Sequence, residues 1–571
     1  MASMNFRRTR SVVRHEIDPD EIFLDSENLP GFDVNQFEGR IEKPVSRGSI
    51  MALSAAFLLL LLVLLGKAWT LQAKNGPQYN ALSQNNTLQE TTIYANRGAI
   101  FDRNGVRLAW NSQTGTTSDF AERSYIDEEG LSHILGYIKY PTKDASGNYF
   151  RKDYQGMAGI EKAYDSGLKG VNGDKIVQTD AVGKVQSESV IRPAQDGENL
   201  TLSIDSGLQT KLYAGIKELA DRVGFTGGAG VIMDVHTGEV IALTSYPEYS
   251  SQVMSDGDDA KAKSSYLTDD RKPFLDRIIA GLYAPGSIVK PYVAVGALEE
   301  KVIDPTKKIL STGSISIPNP YYPNIKSVFM DWRPQGWIDM RQAIAVSSDV
   351  YFYEVGGGFQ DQPGLGIDRL NKYFNMFGLG KSTETGFFAG PTGTIPSPAW
   401  KAQVFPGDPW RIGDTYFTAI GQYGFQVTPL QMLKALTTIA NGGTYLHPTI
   451  IKQGASTTPD IMPAASSTIP VDPNDFEIIR EGMRQGAIMG TASGLNVSYI
   501  DIAAKTGTAQ LGVSKSHVNS WVTGFFPYED PKYAFVVMME HGPSTNVFGA
   551  TYVMRGLLDW MHQTGSVYLK R

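Results

Sequence analysis

The chain carries the stretch Tyr283-Ala284-Pro285-Gly286-Ser287-Ile288-Val289-Lys290-Pro291. Pro285 and Gly286 favour a turn, and the apolar spacing after them predicts a helix that begins near Ser287. The first N–H groups of a helix lack intrahelical partners and favour negative charge on an oxygen placed beside them. Lys290 follows one turn later on the same face, where an amine can take the proton of a serine hydroxyl. The stretch therefore predicts Ser287 as a nucleophile and Lys290 as its base.

The Ser-x-x-Lys spacing alone is a weak indication of catalysis. It occurs again at Ser166 and Lys169, where we interpret it as surface chemistry. Ser287 could equally be an ordinary helix N-cap. The catalytic interpretation therefore depends on further motifs.

A second polar motif, Ser347-Ser348-Asp349, follows a helix predicted over 340–346. If it enters the same cleft, Ser347 would relay a proton between Lys290 and the leaving or attacking amine. Asp349 would hydrogen-bond the substrate or Lys290. Taken alone, the motif could also be a plain cap or turn.

A third motif, Lys505-Thr506-Gly507-Thr508, follows an alternating run over 499–504 that predicts a strand. Lys505 and Thr506 offer a cation and a hydroxyl to a carboxylate. Gly507 would let a substrate backbone lie close, and the N–H of Thr508 can point at an oxyanion.

The order of the three motifs is more specific than any one of them. They lie about 60 and then about 160 residues apart, and such a set is shared by serine β-lactamases and penicillin-binding proteins. The predicted fold is therefore α/β (α+β), with an antiparallel sheet flanked by helices over residues 200–571. The elements predicted from periodicity are a helix over 208–219 and strands over 230–234, 239–244, 521–526 and 533–539.

An uncharged stretch over 49–66 predicts a membrane anchor. Roughly 20 such residues cross a hydrocarbon core of about 30 Å, and the long polar segment before them argues against a cleaved signal peptide. We expect a cytoplasmic, largely disordered tail over 1–48 and a transmembrane helix over 49–70. A weak Lys/Arg bias places the rest of the chain on the extracytoplasmic side.

Residues 71–199 are polar, rich in glycine and broken into short apolar runs, which predicts a small β-rich module. Within it, Asn104-Gly105 separates two strand-like runs, and this dipeptide tolerates the positive φ angles of a type I′ hairpin turn.

Composition excludes several classes of function. The formal net charge of -7 argues against a nucleic-acid surface. The absence of cysteine excludes disulfides and thiolate catalysis. The seven histidines show no metal-ligand spacing, and nothing in the sequence calls for a cofactor.

The chain resembles class B penicillin-binding proteins along nearly all of its extracytoplasmic length. Besides the three motifs, four stretches are similar to segments of that family: 97–105, 159–164, 421–431 and 490–492. The resemblance implies that 71–199 is a non-catalytic, dimerisation-like pedestal beneath a transpeptidase domain. A bifunctional class A enzyme would need a glycosyltransferase domain, and 71–199 is too short for one.

The resemblance also implies a reaction, a location and partners. Ser287, deprotonated by neutral Lys290, would attack a D-Ala-D-Ala stem peptide, with the N–H groups of Ser287 and Thr508 as the oxyanion hole. Lys505, Thr506 and Thr508 would engage the terminal carboxylate, and β-lactams would acylate the same serine. The family implies a single-pass protein of the bacterial inner membrane, with its catalytic domain on the periplasmic side. It also implies a SEDS-family, RodA-like glycosyltransferase as partner.

Asp349 and the run Asp331-Trp332-Arg333 look more like elongation-type than septal members, which usually carry Asn at the position of Asp349. Some elongation-type members hold zinc near the second motif through acidic, His and Cys ligands. Because Ser348 stands where that Cys would fall and no His lies between Ser287 and Asp349, we predict no metal site.

Two other functions remain alternatives. A D,D-carboxypeptidase or β-lactamase-like hydrolase would pass the acyl group to water, and the predicted anchor and pedestal argue against it. A non-catalytic scaffold of the wall-synthesis complex would keep the fold without the reaction, and the intact motifs argue against that.

Overall fold

The computed structural model describes residues 46–86, 88–112, 119–145, 149–179, 185–319, 321–322, 324–382, 384–454 and 466–570. Across these residues the α-helices are α1 (Arg47–Trp69), α2 (Gly76–Asn86), α3 (Ser132–Leu135), α4 (Gly159–Ala163), α5 (Asp165–Leu168), α6 (Ser206–Val223), α7 (Ser251–Asp256), α8 (Ala260–Thr268), α9 (Lys290–Glu299), α10 (Met340–Val346), α11 (Asp349–Gly357), α12 (Ile367–Met376), α13 (Pro398–Val404), α14 (Ile412–Ala419), α15 (Pro429–Ala440), α16 (Pro473–Ile488) and α17 (Ala550–Gln563).

The strands in the same residues are β1 (Leu88–Ile93), β2 (Ile100–Phe101), β3 (Arg107–Ser112), β4 (Glu122–Tyr125), β5 (Ile138–Lys139), β6 (Thr142–Lys143), β7 (Tyr149–Arg151), β8 (Gln155–Gly156), β9 (Gly173–Thr179), β10 (Val185–Arg192), β11 (Leu200–Thr201), β12 (Gly227–Asp234), β13 (Val240–Tyr246), β14 (Ile309–Ser311), β15 (Ser314–Pro318), β16 (Lys326–Met330), β17 (Gly336–Ile338), β18 (Thr444–Leu446), β19 (Ser466–Thr468), β20 (Ala503–Leu511), β21 (His517–Phe526) and β22 (Tyr533–Pro543).

The chain forms two compact units, one of residues 1–89 with 178–187 and one of residues 90–177 with 188–571. In the first unit, α1 continues through a π-helical turn at Thr70–Lys74 and buries none of its side chains. The combined helix of 28 residues is long and apolar enough to cross a membrane. It includes residues 49–70, for which a transmembrane helix is predicted. Most of the predicted tail, residues 1–45, lies outside the described residues.

The main sheet of the second unit is antiparallel and has the strand order β13-β12-β22-β21-β20. Helices α6 and α17 cover one face, where Leu212 and Leu557 pack against Val537. Helix α15 covers the other face, where Leu433 packs in a core with Val536. Because apolar side chains are buried on both faces, β13 is buried along its whole length. This confirms the predicted fold class of an antiparallel sheet flanked by helices.

Most of the elements predicted from periodicity are present, and two details are wrong. The strand predicted over 499–504 begins only at Ala503, because Ile500 is buried in a loop outside the sheet. The third motif therefore lies inside β20 and not after a strand. The hairpin at Asn104-Gly105 is present, but only Gly105 has a positive φ, +85°, so the turn is not type I′.

Asp102 explains why that turn takes its shape. One carboxylate oxygen accepts the N–H groups of Asn104 and Val106, both at 2.8 Å. The other accepts the hydroxyl of Ser206 at 2.8 Å, at the first residue of α6. A single buried carboxylate thus closes the hairpin and holds it to the start of α6.

A buried ion cluster holds the region between β2 and α5 together. The carboxylate of Glu161 accepts from Arg97 Nε at 2.5 Å and from Arg123 Nε at 2.7 Å, and none of the three side chains is exposed. Arg97 also contacts Asp165 at 2.8 Å. Removing one member of a buried ion cluster leaves the others without counter-charge, which costs far more than the intact cluster contributes.

We therefore expect Glu161→Gln to destabilise the protein by roughly 3–5 kcal/mol. The measurement is denaturant unfolding of the full chain in detergent. Glu218→Gln is the matched control, because Glu218 pairs with Arg222 on the surface and exposed pairs contribute at most about 1 kcal/mol. Equal losses in the two variants would contradict a structural role for the cluster.

Candidate active site

The predicted nucleophile lies on a tight turn rather than in an α-helix. Gly286–Val289 form a 3₁₀ helix that runs directly into α9 at Lys290, with Pro291 in its first turn. In a 3₁₀ helix, residues i and i+3 lie one above the other, so Ser287 and Lys290 share a side. Ser287 is half-buried, whereas Lys290 is fully buried.

Three glycines allow other backbone to approach this turn. Gly286 has a φ of +59°, and its N–H donates to the carbonyl of Gly421 at 3.0 Å. A Cβ on Gly421 would collide with Gly286. A Cβ on Gly507 would come within 3.0 Å of the Pro285 carbonyl oxygen. Gly507 therefore makes room for the turn that carries the predicted nucleophile, a reason that the sequence did not suggest.

Lys290 directs its amine at the second motif. Nζ donates to the carbonyl of Ser347 at 2.8 Å and to Asp349 Oδ1 at 2.6 Å, and it lies 3.4 Å from Ser347 Oγ. The ring of Phe352 lies beneath it, 5.6 Å from ring centre to Nζ. Aspartate and lysine thus form an ion pair whose lysine has no exposed surface.

Ser347 lies at the junction between α10 and α11. It ends α10 in the left-handed region, with φ 60° and ψ 41°, a conformation that costs energy in a residue with a side chain. Lys505 Nζ donates to its hydroxyl at 2.7 Å. The hydroxyl of Ser347 therefore lies between two lysine amines, Lys290 and Lys505.

The electrostatics of this pocket are dominated by Lys505. Burial lowers its pKa well below the usual range, and the positive charge of Lys290 lowers it further, while Asp349 acts in the opposite direction. One carboxylate thus faces two buried amines. Sequence reasoning assigned Lys505 as a cation and did not predict this lowered pKa.

The remaining residues of the third motif line the same edge of β20. Thr506 Oγ1 donates to Thr491 Oγ1 at 2.5 Å. Thr508 is exposed and pairs with Ser520 of β21. Thr491 belongs to a stretch that resembles the family, but sequence reasoning assigned it no role.

The structure thus brings Lys290 into contact with Ser347 and Asp349, and Lys505 into contact with Ser347. Within the described parts of the chain, Lys290 Nζ is hydrogen-bonded to Ser347 and Asp349 and not to Ser287, so proton transfer from Ser287 to Lys290 stays a prediction. In the same parts, no three His, Cys, Asp or Glu side chains are grouped to hold a metal. The absence of a metal site stays a prediction. Ser166 of the other Ser-x-x-Lys stretch is exposed.

Comparison with known proteins yields two family matches. Residues 228–555 match the penicillin-binding protein transpeptidase domain, and residues 116–202 match the penicillin-binding protein dimerisation domain.

Individual relatives cover most of the chain. Peptidoglycan D,D-transpeptidase MrdA of Haemophilus influenzae is 31% identical over 478 residues, which is 77% of this chain and 69% of the relative. Among solved structures, Pseudomonas aeruginosa PBP2 in complex with WCK 5153 is 29% identical, with a TM-score of 0.67 over 83% of this chain and 97% of that one. PBP2 from Helicobacter pylori in complex with MreC is 26% identical, with a TM-score of 0.67 over 84% and 99%.

The lowered pKa of Lys505 predicts how stability depends on pH. Between its lowered pKa and the unfolded value near 10.5, the unfolded chain binds more protons than the folded one, so stability rises with pH in that window. We expect Lys505→Met to remove this rise. The free energy of unfolding of the variant, relative to wild type, should therefore fall as the pH rises toward 10.

Denaturant unfolding of the full chain in detergent measures this difference. Lys261→Met is the control, because Lys261 is exposed. A difference between Lys505→Met and wild type that stays constant with pH would contradict the lowered pKa.

Proposed function

The chain belongs to the penicillin-binding protein transpeptidases, and on that premise we propose that Ser287 is the serine acylated when it cross-links wall peptides. It is a peptidoglycan D,D-transpeptidase of cell-wall elongation. The observation that carries the assignment of Ser287 is the convergence of Lys290 and Lys505 on the hydroxyl of Ser347, beside the turn that holds Ser287.

The mechanism begins with the terminal carboxylate of a D-Ala-D-Ala stem peptide, which enters beside Lys505 and Thr506. Its negative charge favours the ammonium form of Lys505, whose pKa is otherwise kept low by burial. The proton reaches Lys505 from Lys290 through the hydroxyl of Ser347, at 3.4 Å and 2.7 Å from the two amines. Lys290 is then neutral and can act as a base.

Acylation follows from that state. Ser287 Oγ attacks the carbonyl carbon of the penultimate D-Ala, and its proton moves to Lys290. The N–H groups of Ser287 and Thr508 hold the oxyanion. The C–N bond breaks, the leaving nitrogen takes the proton from Lys290 through Ser347, and D-Ala departs from an ester on Ser287.

Deacylation runs the same relay in reverse. The amine of a neighbouring stem peptide attacks the ester, loses a proton through Ser347 to Lys290, and forms the cross-link. The proton returns to Ser287 Oγ as the C–O bond breaks. A β-lactam is opened by the same attack, but its leaving nitrogen stays tethered, so the acyl-enzyme persists.

A hydrolase would use the same serine but transfer the acyl group to water. With a stem-peptide donor and an added amine acceptor, the transpeptidase yields the amide as its main product, whereas a carboxypeptidase yields the shortened acid. A scaffold without catalysis would yield neither product.

We also propose the organisation of the chain around this reaction. A tail over 1–48 lies in the cytoplasm, a transmembrane helix spans 49–70, and a non-catalytic pedestal over 71–199 precedes a transpeptidase domain over 200–571. The protein is a single-pass protein of the bacterial inner membrane, with its catalytic domain on the periplasmic side. Two observations support this proposal: the exposed α1 carries no charge over residues 49–66, and residues 116–202 match the dimerisation domain.

The proposed partner is a SEDS-family, RodA-like glycosyltransferase, which binds through α1 and the pedestal. We expect the two proteins to co-purify from membranes, and replacement of α1 by an unrelated transmembrane helix to reduce the yield of the complex. Equal recovery with the replaced helix would contradict a contact through α1.

Labelling with a fluorescent penicillin tests the nucleophile. We expect Ser287→Ala to lose labelling and cross-linking activity by at least about a thousandfold, since no other group can take the acyl chain. Ser166→Ala is the matched control, because it removes the serine of the other Ser-x-x-Lys stretch, and it should label like wild type. Undiminished labelling of Ser287→Ala would refute the assignment.

A further inference from the structure

The buried carboxylate of Asp331 lies against the second motif and accepts four hydrogen bonds. Asp331 follows β16 and is 6% exposed. Its Oδ2 accepts the hydroxyl of Ser348 at 2.6 Å, the N–H of Val350 at 3.2 Å and the hydroxyl of Ser311 at 3.0 Å. Its Oδ1 accepts the N–H of Trp332 at 2.8 Å. Four donors thus saturate one carboxylate in the core.

Two of these donors, Ser348 and Val350, flank Asp349, whose carboxylate contacts Lys290. Ser348 caps the N-terminus of α11, and its hydroxyl both accepts the N–H of Tyr351 and donates to Asp331. Val350 is the next residue but one. Asp349, between Ser348 and Val350, is therefore held by its two neighbours while its own carboxylate contacts Lys290.

Trp332 contacts the backbone on the N-terminal side of the motif. Its indole Nε1 donates to the carbonyl of Val346 at 3.1 Å, directly before the strained Ser347. The pair Asp331-Trp332 thus contacts residues 346, 348 and 350. These alternate with Ser347 and Asp349, the two residues assigned to the proton relay.

We propose that Asp331 and Trp332 form a clasp that positions Ser347 and Asp349 for acylation, an inference that rests on the proposed function. The clasp fixes the left-handed backbone of Ser347, so that its hydroxyl lies between the two lysines, and it aims Asp349 at Lys290. Asp331 touches neither lysine through a recorded contact, and it acts through the motif rather than on the substrate.

The chemistry of this site does not fit the zinc that some elongation-type relatives hold near the same motif. Ser348 offers a hydroxyl where a thiolate would be needed, and that hydroxyl already donates to Asp331 and accepts from Tyr351. Zinc prefers thiolate, imidazole and carboxylate ligands, and its usual partners are not grouped here in the described residues. Hydrogen bonds to Asp331 supply the positioning in this chain.

The test separates positioning from stability by measuring single-turnover acylation with a chromogenic β-lactam on the full chain in detergent. The saturation curve gives the acylation rate constant and the non-covalent dissociation constant, and the amplitude gives the fraction of folded enzyme. We expect Asp331→Asn and Trp332→Phe to lower the rate constant about tenfold to a hundredfold. The dissociation constant should change less than threefold, because Lys505 and Thr506 remain.

Ser311→Ala is the matched control, since it removes a donor to the same Asp331 oxygen without touching the motif. Its rate constant should stay within twofold of wild type, even where its melting temperature falls. Two further measurements complete the test: the zinc content of the purified protein, and its acylation rate constant after treatment with a chelator. We expect no stoichiometric zinc and no loss of rate.

A rate constant for Asp331→Asn within threefold of wild type would overturn the proposal, as would a rate loss in Ser311→Ala equal to that of Asp331→Asn. Bound zinc whose removal slows acylation would overturn it too. Should Asp331→Asn not fold, Trp332→Phe decides alone, because it removes the hydrogen bond to Val346 and keeps an aromatic ring beside Arg333. Failure of the proposed function is distinct, because it would leave Ser287→Ala labelled by penicillin.

Discussion

Two buried lysine amines meet at one hydroxyl, that of Ser347, and the active site depends on that contact. Lys290 and Lys505 are removed from water, and one carboxylate, Asp349, lies within contact of Lys290. Burial opposes two ammonium groups side by side, so the pKa of Lys505 is pushed down. In the proposed mechanism, a proton moves between the two amines when a substrate carboxylate arrives. Acid and base chemistry at a serine is then possible without histidine.

The fold makes this contact by packing together segments that are far apart in sequence. The turn at 286–289, which carries the proposed nucleophile, lies against β20 on one side and the loop at Gly421 on the other. The indole of Trp521 in β21 donates to the carbonyl of Ala284 at 3.1 Å. Because β20 is paired along its length with β21, the edge that carries Lys505 to Thr508 cannot slide. Rigid strands and short turns hold catalytic groups more precisely than loops do.

Much of this arrangement could be predicted from sequence because its chemistry is carried by short motifs. Residue type and motif spacing together predicted the candidate site residues Ser287, Lys290, Ser347, Asp349 and Lys505. The predicted strand start at residue 499 was wrong, because the alternation of 499–504 comes partly from a buried loop, and β20 begins only at Ala503. The turn at Asn104 was wrong in type, because the side chain of Asp102 sets its backbone.

The residues that sequence reasoning missed act through contacts that no spacing encodes. Thr491 follows α16, and it contacts Thr506 because α16 packs against β20. Asp331 was noted for its resemblance to elongation-type relatives, but its four donors come from β14, its own neighbour and α11. Gly421 matters because the backbone of Gly286 lies against it, and a sequence shows only that a glycine is present.

The most direct measurement of the central contact is a crystal structure of the protein acylated by a β-lactam. We expect the acyl group on Ser287 Oγ, its carbonyl oxygen between the N–H groups of Ser287 and Thr508, and the Ser347 hydroxyl within hydrogen-bond reach of both Lys290 and Lys505. An acyl group on another residue, or a Ser347 hydroxyl turned away from both amines, would contradict this description of the active site.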